Sequence, residues 1–434
     1  MLLVFGLFFL SVNMKPHLFD ETHPLEEVLV WGEPGIEALL GQLLPKSKSL
    51  FFSYYEVLEA RREFRHMQDL IEAEGTRFTR ARDVLAKSLV KTELPDEPKD
   101  IHELERALLQ RAGEYYETFR EHKIRDFSHE GIHGDIDEVY EQIKQDIKII
   151  LDEDVQAYGE AGALRLNHLL SLSHDLPLAN IFYGRDQSQA LADRIVLSVL
   201  KWGIRKPEVE IFKKALLELG YANGFVEIDH GTLEGGDVAL LGDTCYIGVG
   251  ARTTFSAVKN LCKKIGTEME RQGIQIVAAV NKRHAEEAAL YGAPTEEHMR
   301  IMHLDMFWIP LAPNLVMAYG HELDQREVIR ISRNSDSFVI EELGGFREFL
   351  TSKGIEILEV DEDEQKNFAT NLLNLGNKTV IVALSTNTRV IKELERRGFR
   401  VISAELNKLV NGYGAVHCLT APVRRTNKQV TLEA

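Results

Sequence analysis

Apolar and polar positions along this 434-residue chain change rhythm twice. "LEEVLVWGEP" (25–34) reads as a strand ended by Gly32 and Pro34. "SYYEVLEARREFRHMQDLIEAEG" (53–75) has helical periodicity and closes on Gly75 as a C-cap. From about 96 to 170 the character changes. "PDEPKD" is a linker-like break, after which Ile101, Leu104, Leu108 and Ala112 share one helical face, then Ile136, Val139, Ile143 and Ile147 share another. These spacings predict a helical insertion packed as a small bundle or lid. After residue 175 short apolar strands alternate with amphipathic helices. "GDVALLG" and "TCYIGVG" are strands around a tight Gly-Asp turn, "TTFSAVKNLCKKIGTEMERQG" a helix and "IQIVAAV" a strand. "RIMHLDMFWIPL" and "NLVMAYG" form a further pair, and "KTVIVAL", "NTRVIKELERRG" and "FRVISAE" a strand–helix–strand unit. Strands alternating with helices predict an α/β architecture.

Composition narrows the function more than the fold. With 44% apolar and 27% charged residues the chain is globular with a sizeable core. Its net charge of −17 disfavours a general nucleic-acid surface but suits a local acidic pocket for a cationic small molecule. The three cysteines, Cys245, Cys262 and Cys418, form no CxxC pair, and a reducing cytoplasm is the expected compartment. The opening "MLLVFGLFFLSVNM" has the length of a signal h-region, but no basic residue precedes it and no A-x-A-like site follows. It is too short to span a bilayer, and Met14 reads as a cytosolic start. Residues 1–14 are therefore an upstream-start or signal-like segment, and no membrane association is expected.

Four stretches place ionisable residues where strand or turn context favours apolar ones: "ANIFYGRDQ" (179–187), "LEGGDVALL" (233–241), "MHLDMFW" (302–308) and "VHCLTAP" (416–422). Read as a strand, "MHLDMFW" projects His303 and Asp305 from one face and turns Met302, Leu304 and Met306 into a core. That polar face is costly unless it lines a pocket, or is a solvated edge. In "LEGGD" two glycines permit close backbone approach to a ligand or strand and are flanked by Glu234 and Asp237; taken alone the stretch reads as a turn, and Asp237 is included as a candidate substrate-binding residue. "GRDQ" alone suggests a surface salt bridge at a strand end. Cys418 follows a glycine-rich loop, where a thiol can be exposed and activated, but taken alone a buried inert cysteine is the commoner case. Together, a thiol, a histidine and several carboxylates make the inventory for attack on a planar cationic carbon, with a guanidinium gripped bidentately by carboxylates.

In this order and spacing, the four stretches resemble those of arginine deiminases and the wider guanidine-modifying group with the pentein fold, from about residue 25 onward. The resemblance implies an α/β propeller of five pseudo-symmetric ββαβ modules, a single catalytic domain over 15–434 with the helical insertion at 96–170 inside it. It implies Cys418 as nucleophile on the guanidino carbon and His303 as the group that protonates departing ammonia and then activates water. Glu234 would hold the imidazole, and Asp186 and Asp305 would grip the guanidinium. Asn180 and Arg252 match positions that bind the substrate's α-carboxylate. The implied reaction takes L-arginine to L-citrulline and ammonia through an amidino-thioether, with no cofactor or metal, and by analogy in a homo-oligomer. The chain departs from the family's usual pattern with "NGYGAV" where an arginine and more glycines precede the His-Cys pair, with "GRDQ" for "TRDP" and "HLDM" for "HLDT". The glycines of "NGYG" let that loop lie over the site.

An amidinotransferase or an arginine dihydrolase would use the same nucleophile. A non-catalytic pentein binding protein and an enzyme acting on protein-bound arginine are the other readings. "HEGIHGD" (129–135) reads as a solvated turn between insertion helices, with ligand spacing too loose for a metal site. "GVGART" lacks the third glycine of a dinucleotide fingerprint. No G-x-S-x-G elbow occurs, and too little chain follows Cys418 for a papain-like protease.

Overall fold

The computed structural model describes residues 14–51, 54–122, 136–221, 224–281, 299, 301–334 and 337–426; residues 1–13 and "HEGIHGD" lie outside the described residues. The α/β expectation holds, and the strands fall into five sheets with one local plan. Strand β1 (Leu25–Val30) leads through the helix Val57–Ala73 to β2 (Arg77–Arg80), which lies parallel to it. The hairpin of β3 (Ser188–Leu191) and β4 (Arg194–Leu197) leads through the helix Lys206–Glu218 to β5 (Phe225–Glu227), parallel to β4. Next, β6 (Val238–Leu241) and β7 (Thr244–Val249) lead to β8 (Gln275–Val280), parallel to β7.

The plan then repeats with an addition. Between β9 (Trp308–Ala312), β10 (Leu315–Tyr319) and β13 (Glu356–Val360) the chain inserts a long hairpin, β11 (Glu327–Asn334) and β12 (Ser337–Gly345). That hairpin joins the neighbouring sheet, which becomes five-stranded in the order β12-β11-β8-β7-β6. Finally β14 (Leu373–Gly376), β15 (Thr379–Val382), the helix Thr388–Arg396 and β16 (Arg400–Ser403) form a unit. Last, β17 (Thr420–Arg425) returns to pair antiparallel with β1, completing the first sheet. None of these sheets closes on itself among the described residues.

The helix Val57–Ala73 buries Val57, Ala60, Phe64, Met67 and Ile71, three or four positions apart, and chain reversal follows at Gly75 with φ +82°. The helix drawn from "TTFSAVKNLCKKIGTEMERQG" is interrupted by a π-turn over Cys262–Gly266, which period counting does not reveal. The β11–β12 hairpin has no counterpart in the sequence reading, because β12 is mostly exposed and the buried residues of β11, Val328 and Ile331, stand three apart and not in alternation.

The insertion forms two helices, Ile101–His122 and Ile136–Ser171, the second broken at Gly159 with φ +72°. Leu104, Leu108, Ala112, Ile143 and Ile147 are buried, whereas Ile101 and Val139 are half-buried at the margin of the same core. Polar clamps fix these helices to the neighbourhood of β1. Buried Arg82 donates to Asp154 Oδ2 at 2.6 Å, Asn167 Nδ2 donates to the same oxygen at 2.8 Å, and Arg61 reaches Glu153 at 2.7 Å. Removing one partner of a buried pair leaves an uncompensated charge. Asp154→Ala leaves Arg82 only Glu37, at 3.5 Å, and is expected to cost about 3 kcal/mol, read as a lowered urea midpoint. Among the described residues no helix is long and apolar enough to cross a membrane.

Candidate active site

Short turns that lead into the first strands of the units converge. Gly184–Gln187 precedes β3 and carries Asp186; Gly235–Asp237, with Glu234 at its N-cap, precedes β6. Leu304–Met306 carries Asp305, with His303 at its N-cap, and stands one residue before β9. Asn371 stands two residues before β14, and Val416–Leu419 carries Cys418 into β17. These turns pack against one another, and the side chains they hold are buried together. Here the strand reading of "MHLDMFW" is corrected: His303 is extended, but Leu304–Met306 is a 3-10 turn and the strand begins at Trp308. Alternation cannot distinguish a strand from a tight turn that brings both polar side chains inward. Met302 faces the site as well, with its sulfur 3.3 Å from Arg252 Nη2. "GRDQ" is likewise a helical turn and not a surface pair, since Arg185 and Asp186 are both buried.

Cys418 is 2% exposed. Asn371 braces it from two sides: Nδ2 donates to Cys418 Sγ at 3.1 Å, while Oδ1 accepts the amides of Ala415 (3.0 Å) and Cys418 (3.2 Å). The thiol lies 3.8 Å from Asp305 Oδ2. Burial first, then Asp305 and Asp186, push the Cys418 thiol well above its ordinary range. The resting sulfur is therefore protonated.

His303 Nε2 meets Glu234 Oε2 at 2.8 Å, and Nδ1 stands 3.7 Å from Asp186 Oδ1 with no hydrogen-bond partner among the described residues. Burial works to discharge this imidazole. Asp186, the bond to Glu234 and the charge of Asp237 outweigh it and raise the group to about 9. Glu234 is held in place by the Lys201 amide at 2.7 Å and by Arg252 Nη1 at 3.3 Å. Against the effect of burial, Arg252 and His303 bring its carboxyl well below the usual range.

Asp186 and Asp305 each have one oxygen engaged and one open. Arg205 Nη1 donates to Asp186 Oδ2 at 2.7 Å, and His417 Nδ1 lies 2.7 Å from Asp305 Oδ2. Asp186 Oδ1 and Asp305 Oδ1 are buried without a hydrogen-bond partner among the described residues. Leaving such oxygens unpaired is unfavourable, so they mark positions for a donor-bearing ligand. Asn180 and Arg252 line the same small cavity as Cys418 and Asp186, together with Leu50, Tyr183, Arg205, Met299, Met302, Gly412 and Tyr413. Asn180 Nδ2 donates to the Ser49 carbonyl at 2.6 Å, and Arg252 Nη2 reaches the sulfurs of Met299 and Met302. Asp237 does not line this cavity. It lies behind the His303 turn, accepting the Leu304 amide at 2.9 Å, and burial raises its carboxyl to about 7 against the pull of His303.

The glycines of these motifs serve close approach. A Cβ on Gly236 would fall 2.7 Å from His303 Nδ1, and one on Gly414 would fall 3.0 Å from Cys418 Cβ. Gly412 and Tyr413, the latter left-handed at φ 64°, cover the thiol and reduce the cavity to about 10 Å³, room for about one water. A larger hollow of about 210 Å³ on the other side of Tyr413 contains none of the expected site residues; it is lined by Gln365, Lys366 and Phe368 among others. The smaller space is the candidate site because Cys418, Asp186, Asn180 and Arg252 line it; His303, Glu234 and Asp305 are not among its lining residues and join it through their contacts with Asp186, Arg252 and Cys418. Donor atoms of Asp186, Glu234 and His303 lie within 4.8 Å of one another, as a metal site requires. However, Arg205 and Arg252 already pair with those carboxylates, so a divalent ion would meet two fixed cations.

Sequence reasoning missed Arg205 and Asn371, and gave His417 no role. Arg205, just before "KPEVE", looks like an ordinary basic residue at a helix start. Asn371, in "ATNLLNLGN", is one of many asparagines.

Repeated ββαβ units bearing a buried thiol, an imidazole–carboxylate pair and two half-open carboxylates define an α/β protein with the parts for covalent chemistry on a cation. The arginine deiminase family model matches residues 48–425, and the chain belongs to that family. It is 25% identical to the arginine deiminase of Halobacterium salinarum over 326 residues, 59% of this chain and 66% of that protein. With the arginine deiminase of Mycobacterium avium it shares 26% over 280 residues, 60% of this chain and 64% of that protein. The match thus spans about two thirds of those relatives' length. Among solved structures, SxtG, an amidinotransferase from Microseira wollei, superposes with a TM-score of 0.52 at 14% identity, covering 95% of this chain and 98% of that one. The family resemblance read from the four motifs is borne out.

Proposed function

We propose that this protein is a cysteine-dependent guanidino hydrolase that converts L-arginine and water to L-citrulline and ammonia. The observation that carries the reading is the pair of open, buried oxygens, Asp186 Oδ1 and Asp305 Oδ1, on carboxylates that flank Cys418: Asp186 lines the same cavity, and Asp305 reaches the thiol through its other oxygen at 3.8 Å. A guanidinium supplies N–H donors in a fixed fork and meets both oxygens. Its positive charge opposes the burial and carboxylate charge that keep the thiol protonated, so docking releases the thiol proton to water. The thiolate then attacks the guanidino carbon. His303, charged and tethered through Nε2 to Glu234, gives its Nδ1 proton to the departing amino group, which leaves as ammonia. The neutral imidazole next takes a proton from water. The resulting hydroxide attacks the cationic amidino carbon, the C–S bond breaks as the new hydroxyl gives up its proton to water, and citrulline leaves with the thiolate restored. Asn180 and Arg252 bind the α-carboxylate in this reading, and Asp237 supports the His303 turn.

The five ββαβ units are read as the modules of a propeller around this centre. They would form one catalytic domain over 15–434, with the insertion at 96–170 within it. All three cysteines are unpaired, which suits work in the reducing cytoplasm.

The test is product identity with purified protein and L-arginine. Citrulline and ammonia in equal amounts are expected. Ornithine with twice the ammonia would make the protein a dihydrolase, and product formed only with an added amine acceptor would make it an amidinotransferase. No turnover of free arginine, with turnover of an arginine-containing peptide, would move the substrate class.

A further inference from the structure

The histidine directly before the nucleophile has no part in the reaction just described, yet it is 5% exposed and aimed at the site. Among the described residues, only its Nδ1, at 2.7 Å, and the Cys418 thiol, at 3.8 Å, reach Asp305 Oδ2. A carboxylate can only accept, so the imidazole carries its proton on Nδ1. The backbone fixes the donor: Arg185 Nε bonds the His417 carbonyl at 3.4 Å, while the Arg185 guanidinium is held by Gln189 at 3.0 Å and faces Glu21 at 3.6 Å. Burial and the Arg185 cation hold His417 low, so it stays neutral.

Charge accounting shows what this achieves. Asp186 is paired with Arg205, and Glu234 with His303 and Arg252. Asp305 is oriented by a neutral donor and keeps its negative charge. Of the two carboxylates that act on the thiol, Asp305 and Asp186, it alone is not offset by a side-chain cation in direct contact.

Resting on the guanidino reading above, we propose that His417 is a positioning residue: its Nδ1–H fixes Asp305 so that Oδ1 faces the substrate guanidinium with its charge uncompensated. The role needs a neutral donor at the Nδ1 position and nothing at Nε2.

Two amides separate these positions. Asn at 417 can place its NH2 where Nδ1 stands, whereas Gln places its NH2 where Nε2 stands. His417→Asn, His417→Gln and His417→Ala are compared by kcat and KM for L-arginine, by melting temperature, and by calorimetric binding of L-arginine in a Cys418→Ala background. The Asn variant is expected to keep kcat/KM within about threefold of the parent. The Gln and Ala variants are expected to lose about 30-fold or more, mainly through KM, with the same weakening in the binding experiment. Equal behaviour of Asn and Gln, or losses that follow melting temperature alone, overturns the proposal. If wild type turns over no guanidino compound and Cys418→Ala binds neither L-arginine nor guanidinium, the guanidino reading fails and this proposal fails with it. If wild type is active and only the Asn/Gln contrast is missing, the proposal alone is rejected.

Discussion

Cys418→Ala is expected to abolish citrulline formation, by roughly 10⁴-fold or more, while L-arginine still binds within about tenfold of its wild-type affinity. The expectation follows from separate duties within the site. In the proposed reaction the groups that face the guanidinium are carboxylates anchored by Arg205 and His417, and neither anchor passes through the sulfur. Removing Sγ deletes the proposed nucleophile and leaves Asn371 Nδ2 without that acceptor, while its Oδ1 still holds the amides of Ala415 and residue 418. The backbone turn therefore survives. Calorimetry on the variant, beside single-turnover assays, reads the two duties separately. Residual turnover near wild type would remove Cys418 from the chemistry. Joint loss of binding and melting temperature would mean the sulfur is part of the packing.

His303→Asn is expected to carry the second large effect, roughly 10³-fold in kcat, because in the proposed reaction the acid that protonates the departing amino group and the base that activates water are the same group. Its pH profile makes the assignment specific. With His303 raised to about 9, kcat/KM of the wild type should fall as pH climbs through about 9. The residual rate of the variant should lack that limb. A stability effect has the same sign. The unfolded histidine gives up its proton near 6.5, while the folded one holds it until about 9. The contribution of the pair with Glu234 and Asp186 is thus complete below about pH 6.5 and lost as pH rises through about 9. Urea midpoints of wild type and variant should converge across that interval. An alkaline limb that persists in His303→Asn would assign the ionisation elsewhere.

Much of the organisation is legible in the sequence because burial enforces period. The helix Val57–Ala73 and the insertion helices carry apolar positions at helical spacing, while β1, β6 and β7 are short, almost continuously buried runs that their length and flanking turn residues identify. The β11–β12 hairpin is not legible, since β12 is mostly exposed and the two buried residues of β11, Val328 and Ile331, stand three apart, off strand period. Around the site, residue type was informative and local geometry was not. "MHLDMFW" and "GRDQ" advertise their ionisable groups, but as tight turns they follow neither helical nor strand spacing. Arg205 and Asn371 were invisible for a different reason. An arginine and an asparagine take their meaning from the distant carboxylate or thiol they reach, and linear sequence does not record that partner. His417 lay in plain view beside Cys418, and only its 2.7 Å contact with Asp305 gives it work.

The pairing of β17 with β1 also governs when the reactive centre can exist. Leu25 aligns with Arg425 and Val30 with Thr420, so the strand that follows Cys418 finds its place against a segment far upstream in the chain. A nascent chain that stops short of Cys418 holds the carboxylates and His303 but no nucleophile, and one that stops short of β17 holds Cys418 without the strand that anchors it. Maturation of the centre is thereby deferred until both have been translated, after the slow closure of a very long loop. Half-made polypeptides should accordingly be chemically silent, and an early strand left waiting for its late partner is the edge most in need of protection while the ribosome is still at work.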